Sequence, residues 1–112
     1  MSSRDTLYLL PPGFEDRGER QYCPECAEIW GVLAYYPAIR ETLDIVYVDV
    51  AHPRAPLVAR LGEGSWNAPT LVLGKAAPDG PGVKRANNER YLDSARDIGR
   101  YWASLHGIAV PR

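Results

Sequence analysis

The chain has 112 residues, 46% hydrophobic and 24% charged, with 13 Lys and Arg against 14 Asp and Glu and a net charge of -1. That length and balance fit a single globular domain over 1–112 with a core of its own, and they exclude general disorder. Both charge signs are spread along the chain, so the clustered cations that grip nucleic acid or an anionic membrane are not expected, and no apolar stretch nears the ~20 residues of a membrane span.

The first predicted element is a strand over residues 6–10, "TLYLL". Its apolar run is too short for a secretory core, so a cytoplasmic location is expected. "PPGFEDRGERQ" follows, with Pro-Pro, two glycines and alternating charges, and reads as a long loop over 11–22. Cys26, Ile29, Trp30 and Leu33 then recur at helical spacing and predict a helix from about Pro24 to Tyr36. Pro24 suits its first turn and Pro37 marks its end.

"DIVYVDV" (44–50) is almost continuously apolar and β-branched, as expected of a strand buried on both faces. "HPRAPLVARLG" predicts a short helix with Leu57, Val58 and Leu61 inward and Gly62 at its end. "TLVL" (70–73) is another buried strand. Residues 74–89, rich in Gly, Pro and Asn, read as a second long loop. "RYLD" is a short last strand. "SARDIGRYWASLHG" is the clearest helix: Ser94 and Asp97 resemble a capping box, Ile98, Tyr101, Trp102 and Leu105 form the apolar stripe, and Gly107 caps the end. The fold class is α/β, in the order β-α-β-α-β-β-α. It implies a four-stranded mixed sheet with about three helices, the first two strands parallel and the last two antiparallel.

The only cysteines, Cys23 and Cys26, stand three apart at a predicted helix start. In a compartment where lasting disulfides are rare, such a pair is reactive or metal-binding more often than structural. A helix N-terminus offers free N–H groups and a favourable dipole to a thiolate. Cys23 precedes the helix and is expected to be exposed, the attacking thiol; Cys26 lies one turn in, on the apolar stripe, and is expected to be buried, the resolving thiol. Glu25 places a carboxylate beside them, which disfavours the thiolate. Zinc usually needs four ligands and the motif supplies two, with His52 and His106 at no ligand spacing. No metal is therefore expected within one chain, although a zinc or iron–sulfur site shared between two copies stays open.

Element order and the Cys-x-x-Cys together resemble the thioredoxin-like superfamily, in the style of glutaredoxins and glutathione-transferase N-terminal domains. "NAPTLVL" resembles the segment that carries a cis-proline before the third strand, which makes Pro69 that residue. "YLDSARDIGRYWA" resembles the start of the last helix in glutathione transferases, with Asp93 and Ser94 as the acidic-Ser pair. The pattern from "YLLPPGF" through "YCPEC" to "RYWASLHGI" is similar to a bacterial thioredoxin-like family of unknown function.

The resemblance implies thiol–disulfide exchange with Cys23 and Cys26 as catalytic residues. It implies that Ala68 and Pro69 present backbone to the substrate. It also implies that Asp93 and Ser94 help hold a carboxylate, although capping alone accounts for both residues. No bound cofactor is implied; glutathione is a candidate co-substrate, and a protein or glutathione disulfide the expected partner. The chain departs from glutaredoxins in its long 11–22 insertion, in Glu25, and in the 74–89 connector. A second expectation, from another class, is a non-catalytic binding or dimerisation module, a homodimer or glutathione binder, because fold alone does not fix function.

Overall fold

The computed structural model describes residues 4–112. In chain order it contains β1 (Asp5–Leu9), β2 (Phe14–Asp16), β3 (Glu19–Gln21), α1 (Pro24–Tyr35), α2 (Pro37–Arg40) and β4 (Leu43–Tyr47). These are followed by α3 (Ala55–Leu61), β5 (Thr70–Val72), β6 (Lys84–Ala86), β7 (Glu89–Leu92) and α4 (Ala95–His106). It is a mixed α/β fold. One five-stranded sheet has the order β4-β1-β5-β7-β6, and β2 and β3 form a separate two-stranded sheet.

β1 and β5 lie inside the large sheet, and their apolar runs are buried accordingly. β1 pairs parallel with β4, Asp5 opposite Leu43 and Leu9 opposite Tyr47, and antiparallel with β5, Leu7 opposite Leu71. β5 and β7 run antiparallel, Leu71 opposite Leu92. The core gathers Leu7, Leu9, Ile29, Leu57, Leu71, Ile98 and Trp102, all without solvent exposure. α1 packs against α4, and α4 also packs against β5. α1 starts where Cys23 caps it and Pro24 enters the first turn. α4 starts where Ser94 Oγ accepts the Asp97 N–H at 3.1 Å. It stops at Gly107, whose φ of 71° is left-handed. Among the described residues, no helix is long and apolar enough to cross a membrane.

Several expectations need correction. Among the described residues the main sheet has five strands instead of four, and there are four helices instead of three, because the four-residue α2 begins at Pro37. The 11–22 segment is a hairpin in its middle: Arg17 and Gly18 both take positive φ (53° and 77°), the two-residue turn that matches strand twist. The 74–89 segment holds β6, turned onto β7 by Asn87 and Asn88 at φ 51° and 63°. β2, β3 and β6 are mostly polar, so no apolar alternation announced them. Finally, β4 is an edge strand, and its middle residues are half-buried instead of covered on both faces. On the helices, Val58 is half-buried and Leu105 is exposed, so neither stripe is as wide as its periodicity implied.

Candidate thiol site

Cys23 is the N-cap of α1. Its Sγ accepts the Cys26 N–H at 3.1 Å and donates to the Ala68 carbonyl at 3.7 Å. One sulfur thus replaces an unmade helical bond and touches the loop before β5. The helix geometry of a Cys-x-x-Cys dictates this, because a cap side chain reaches the N–H three residues on. Cys23 is half-buried and Cys26 is only 4% exposed; both are free thiols. Cys26 Sγ accepts the Leu10 N–H at 3.5 Å, which ties the exit of β1 to the first turn of α1. Burial, helped by the neighbouring Cys23, pushes the Cys26 thiol up from 9.0 to about 12. At neutral pH it is a protonated thiol.

Ala68 and Pro69 are buried, and the bond between them is cis; His52–Pro53 is cis as well, which the sequence did not announce. Asn67 Nδ2 donates to the Asp93 carbonyl at 2.8 Å, and so joins this loop to the start of α4. Cys23, Cys26, Ala68, Pro69, Asp93 and Ser94 therefore lie around the adjoining ends of α1, β5 and α4. The polar groups of the last two are already engaged inside the chain. Asp93 Oδ1 takes Lys84 Nζ at 3.0 Å, and Ser94 Oγ takes the Asp97 N–H. The free N–H of Ala95, at the first turn of α4, is held by a Glu25 carboxylate oxygen at 3.1 Å. Glu25, read from sequence as a charge against the thiols, is a second cap of α4.

Arg54 was not anticipated. It is 8% exposed, and its guanidinium donates to the carbonyls of Asp49 at 2.9 Å, Val50 at 3.0 Å and Trp66 at 3.0 Å. Its positive charge acts on both thiols. Burial lowers its pKa, and Cys23 and Cys26 draw it back up. Nothing in a lone sequence marks an arginine as buried, since its partners are backbone carbonyls with no sequence signature.

Trp30, which the helical spacing set in line with Cys26, Ile29 and Leu33, is half-buried and lines an open cavity of about 210 Å³ beside the thiols, with Leu10, Pro11, Pro12, Tyr22 and Ala27. Trp66 instead packs edge-on against Tyr91, with ring centroids 5.5 Å apart, and donates from Nε1 to the Gly62 carbonyl at 2.6 Å. Among the described residues, no group of three or more His, Cys, Asp and Glu side chains gathers to hold a metal ion.

A family model described as a protein of unknown function, DUF3088, matches residues 4–110. The chain belongs to that family. No curated protein and no solved structure matches it. The matched residues run through the segment before Cys23, the cysteine pair and the β6–β7 hairpin.

Proposed function

We propose that this chain is a thiol–disulfide oxidoreductase with a thioredoxin-like fold, in which Cys23 attacks and Cys26 resolves. The fold reading is supported by the parallel β1–β4 pair, the antiparallel β5–β7 pair and the Cys-x-x-Cys at the head of α1. The single observation that carries the function is the asymmetry of the pair. The half-buried Cys23 sulfur receives an N–H, whereas the buried Cys26 sulfur holds its proton to about 12. The Cys23 sulfur stands at the N-terminus of α1, and the Arg54 guanidinium interacts with both sulfurs.

In reduction of a disulfide, the Cys23 thiolate attacks one substrate sulfur. The substrate S–S bond breaks, and the distal sulfur leaves as a thiolate that takes a proton from water. Cys26 then gives up its proton and attacks Cys23, which breaks the mixed disulfide and frees the second substrate thiol. The substrate gains two electrons and the pair becomes a disulfide, which an external dithiol or two monothiols reduces again. Mixed-disulfide formation removes the Cys23 thiol, one of the groups that hold the Cys26 proton on, so attack by Cys26 becomes easier at the step that needs it. Glutathione is a candidate reductant. It would reach Cys23 without the Ala95 N–H as an anchor, because Glu25 occupies it.

Alkylation after equilibration in redox buffers tests the reading. A two-electron transition of Cys23 and Cys26 is expected, with Cys23 the first to react with iodoacetamide in the reduced protein. If neither cysteine changes state across the ~-150 to -350 mV spanned by thiol–disulfide couples, the activity is lost and the binding-module reading replaces it.

A further inference from the structure

The insertion before Cys23 leaves the thiol site and returns to it. β1 ends at Leu9, Leu10 N–H reaches Cys26, and Pro11 and Pro12 follow; the β2–β3 hairpin then brings the chain back through Tyr22 directly onto Cys23. Both ends of the excursion line one cavity together with the two cysteines and with Ala27 and Trp30 of α1. Two successive prolines offer no N–H and a stiff apolar face. The lining contains no Lys, Arg, Asp, Glu or His. Its volume, about 210 Å³, is below the roughly 300–1,000 Å³ of a pocket that takes a whole ligand, and it suits one large side chain.

We infer that this cavity receives an apolar side chain of a disulfide-bearing polypeptide, next to the cysteine whose sulfur Cys23 attacks. The inference rests on the exchange reading and names its substrate class. A group bonded to Cys23 is delivered to the cavity by the bond itself. A charged group there would lose water with no ion to pair with, which is costly. The common small thiols carry carboxylates or phosphates, so an apolar neighbour of a reactive disulfide is met on a polypeptide. The 11–22 insertion thus acts as a selecting wall, and Tyr22, 64% exposed, is the part of it that a partner meets first.

The test reads the cavity with and without exchange. First, the reduced protein is modified at Cys23 with N-benzylmaleimide and with N-(2-carboxyethyl)maleimide, each rate divided by that of N-acetylcysteine amide. A preference of about tenfold or more for the benzyl reagent is expected from burial of one large apolar group. Tyr22→Ser, which removes a wall, and Ala27→Leu, which fills the cavity, should each cut it to roughly threefold or less. Both positions are exposed, so either chain is expected to fold. Equal normalised rates in the wild-type chain, or a preference that neither variant changes, overturns the pocket.

Second, disulfide dimers of acetyl-Gly-Cys-Xaa-amide are reduced with Xaa Leu, Gly or Asp, beside glutathione disulfide. The expected order is Leu above Gly above Asp, with the Leu-to-Gly ratio lowered in both variants. Exchange with no Leu preference, or glutathione disulfide reacting as fast as the Leu peptide, overturns the polypeptide occupant while the exchange reading stands. No exchange with any disulfide removes the exchange reading and this substrate with it, whatever the maleimides show.

Discussion

At the scale of single residues, Cys26 links the site to pH. Water is removed from its sulfur, and a 3.5 Å contact from Leu10 N–H compensates little. The folded chain therefore holds the proton more tightly than the unfolded one, about 12 against 9.0. Below the unfolded value both states are protonated and the group adds no slope. Above it the unfolded chain ionises first, so stability falls as pH rises from 9.0 toward 12. We expect the urea midpoint of the reduced protein to drop between about pH 8 and 10, and to drop less in Cys26→Ala. Tyr101, also held up to about 12 by burial, contributes to the slope that remains in the variant. Parallel slopes in the two chains would mean that the Cys26 thiol is not withheld from water. The position of Cys26 was legible in the sequence, as its helical spacing put it on the stripe with Ile29 and Leu33.

At the scale of elements, α4 has two caps from different parts of the chain. Ser94 is local and was legible from spacing; Glu25 comes from α1 and was not. Each satisfies an N–H that the helix cannot pair itself. Ser94→Ala is expected to cost about 1 kcal/mol in chemical denaturation, and Glu25→Ala about 0.5–1 kcal/mol. The two should differ in reach. Loss of Glu25 also removes one of the ties between α1 and α4, beside the Arg96–Glu28 pair, so amide exchange in the first turn of α1 should speed up in Glu25→Ala and stay unchanged in Ser94→Ala. Equal exchange in both variants would reduce Glu25 to a surface charge. The hairpins teach a different lesson at this scale. Asn87-Asn88 and Arg17-Gly18 are residue pairs suited to left-handed turns, but β2, β3 and β6 are mostly polar, so the turn signal stood without the alternation that usually accompanies it.

At the scale of the whole molecule, Arg54 joins the turn after the edge strand β4 to the loop that enters the central strand β5. Its three acceptors lie at Asp49, Val50 and Trp66, and the last leads directly to Ala68 beside Cys23. Arg54→Met would strand these carbonyls, a loss of about 2–4 kcal/mol in urea denaturation. It would also remove a positive charge from the thiols, so iodoacetamide should modify Cys23 more slowly at neutral pH. Arg54→Lys keeps the charge and loses the fork, so it should restore much of the labelling rate and less of the stability. A methionine variant with unchanged labelling would limit Arg54 to a structural clamp.

The sequence by itself determined the elements with strong periodicity or clear caps: β1, α1, α3, β5 and α4, the parallel pairing of β1 with β4 and the antiparallel pairing of β5 with β7, and the placing of Cys23 before a helix and Cys26 within it. These follow from local rules, because a cap or an apolar stripe is written within a few residues. Tertiary structure alone decided the rest. β4 became an edge because β5 took the other side of β1. Glu25 turned to α4 because α1 packs there. Arg54 came to lie near the thiols, and Pro11, Pro12, Tyr22 and Trp30 met around them. Each of these depends on partners many residues away in the chain, and a buried guanidinium on carbonyls or an apolar wall built from both ends of an insertion leaves no local mark in the order of the amino acids.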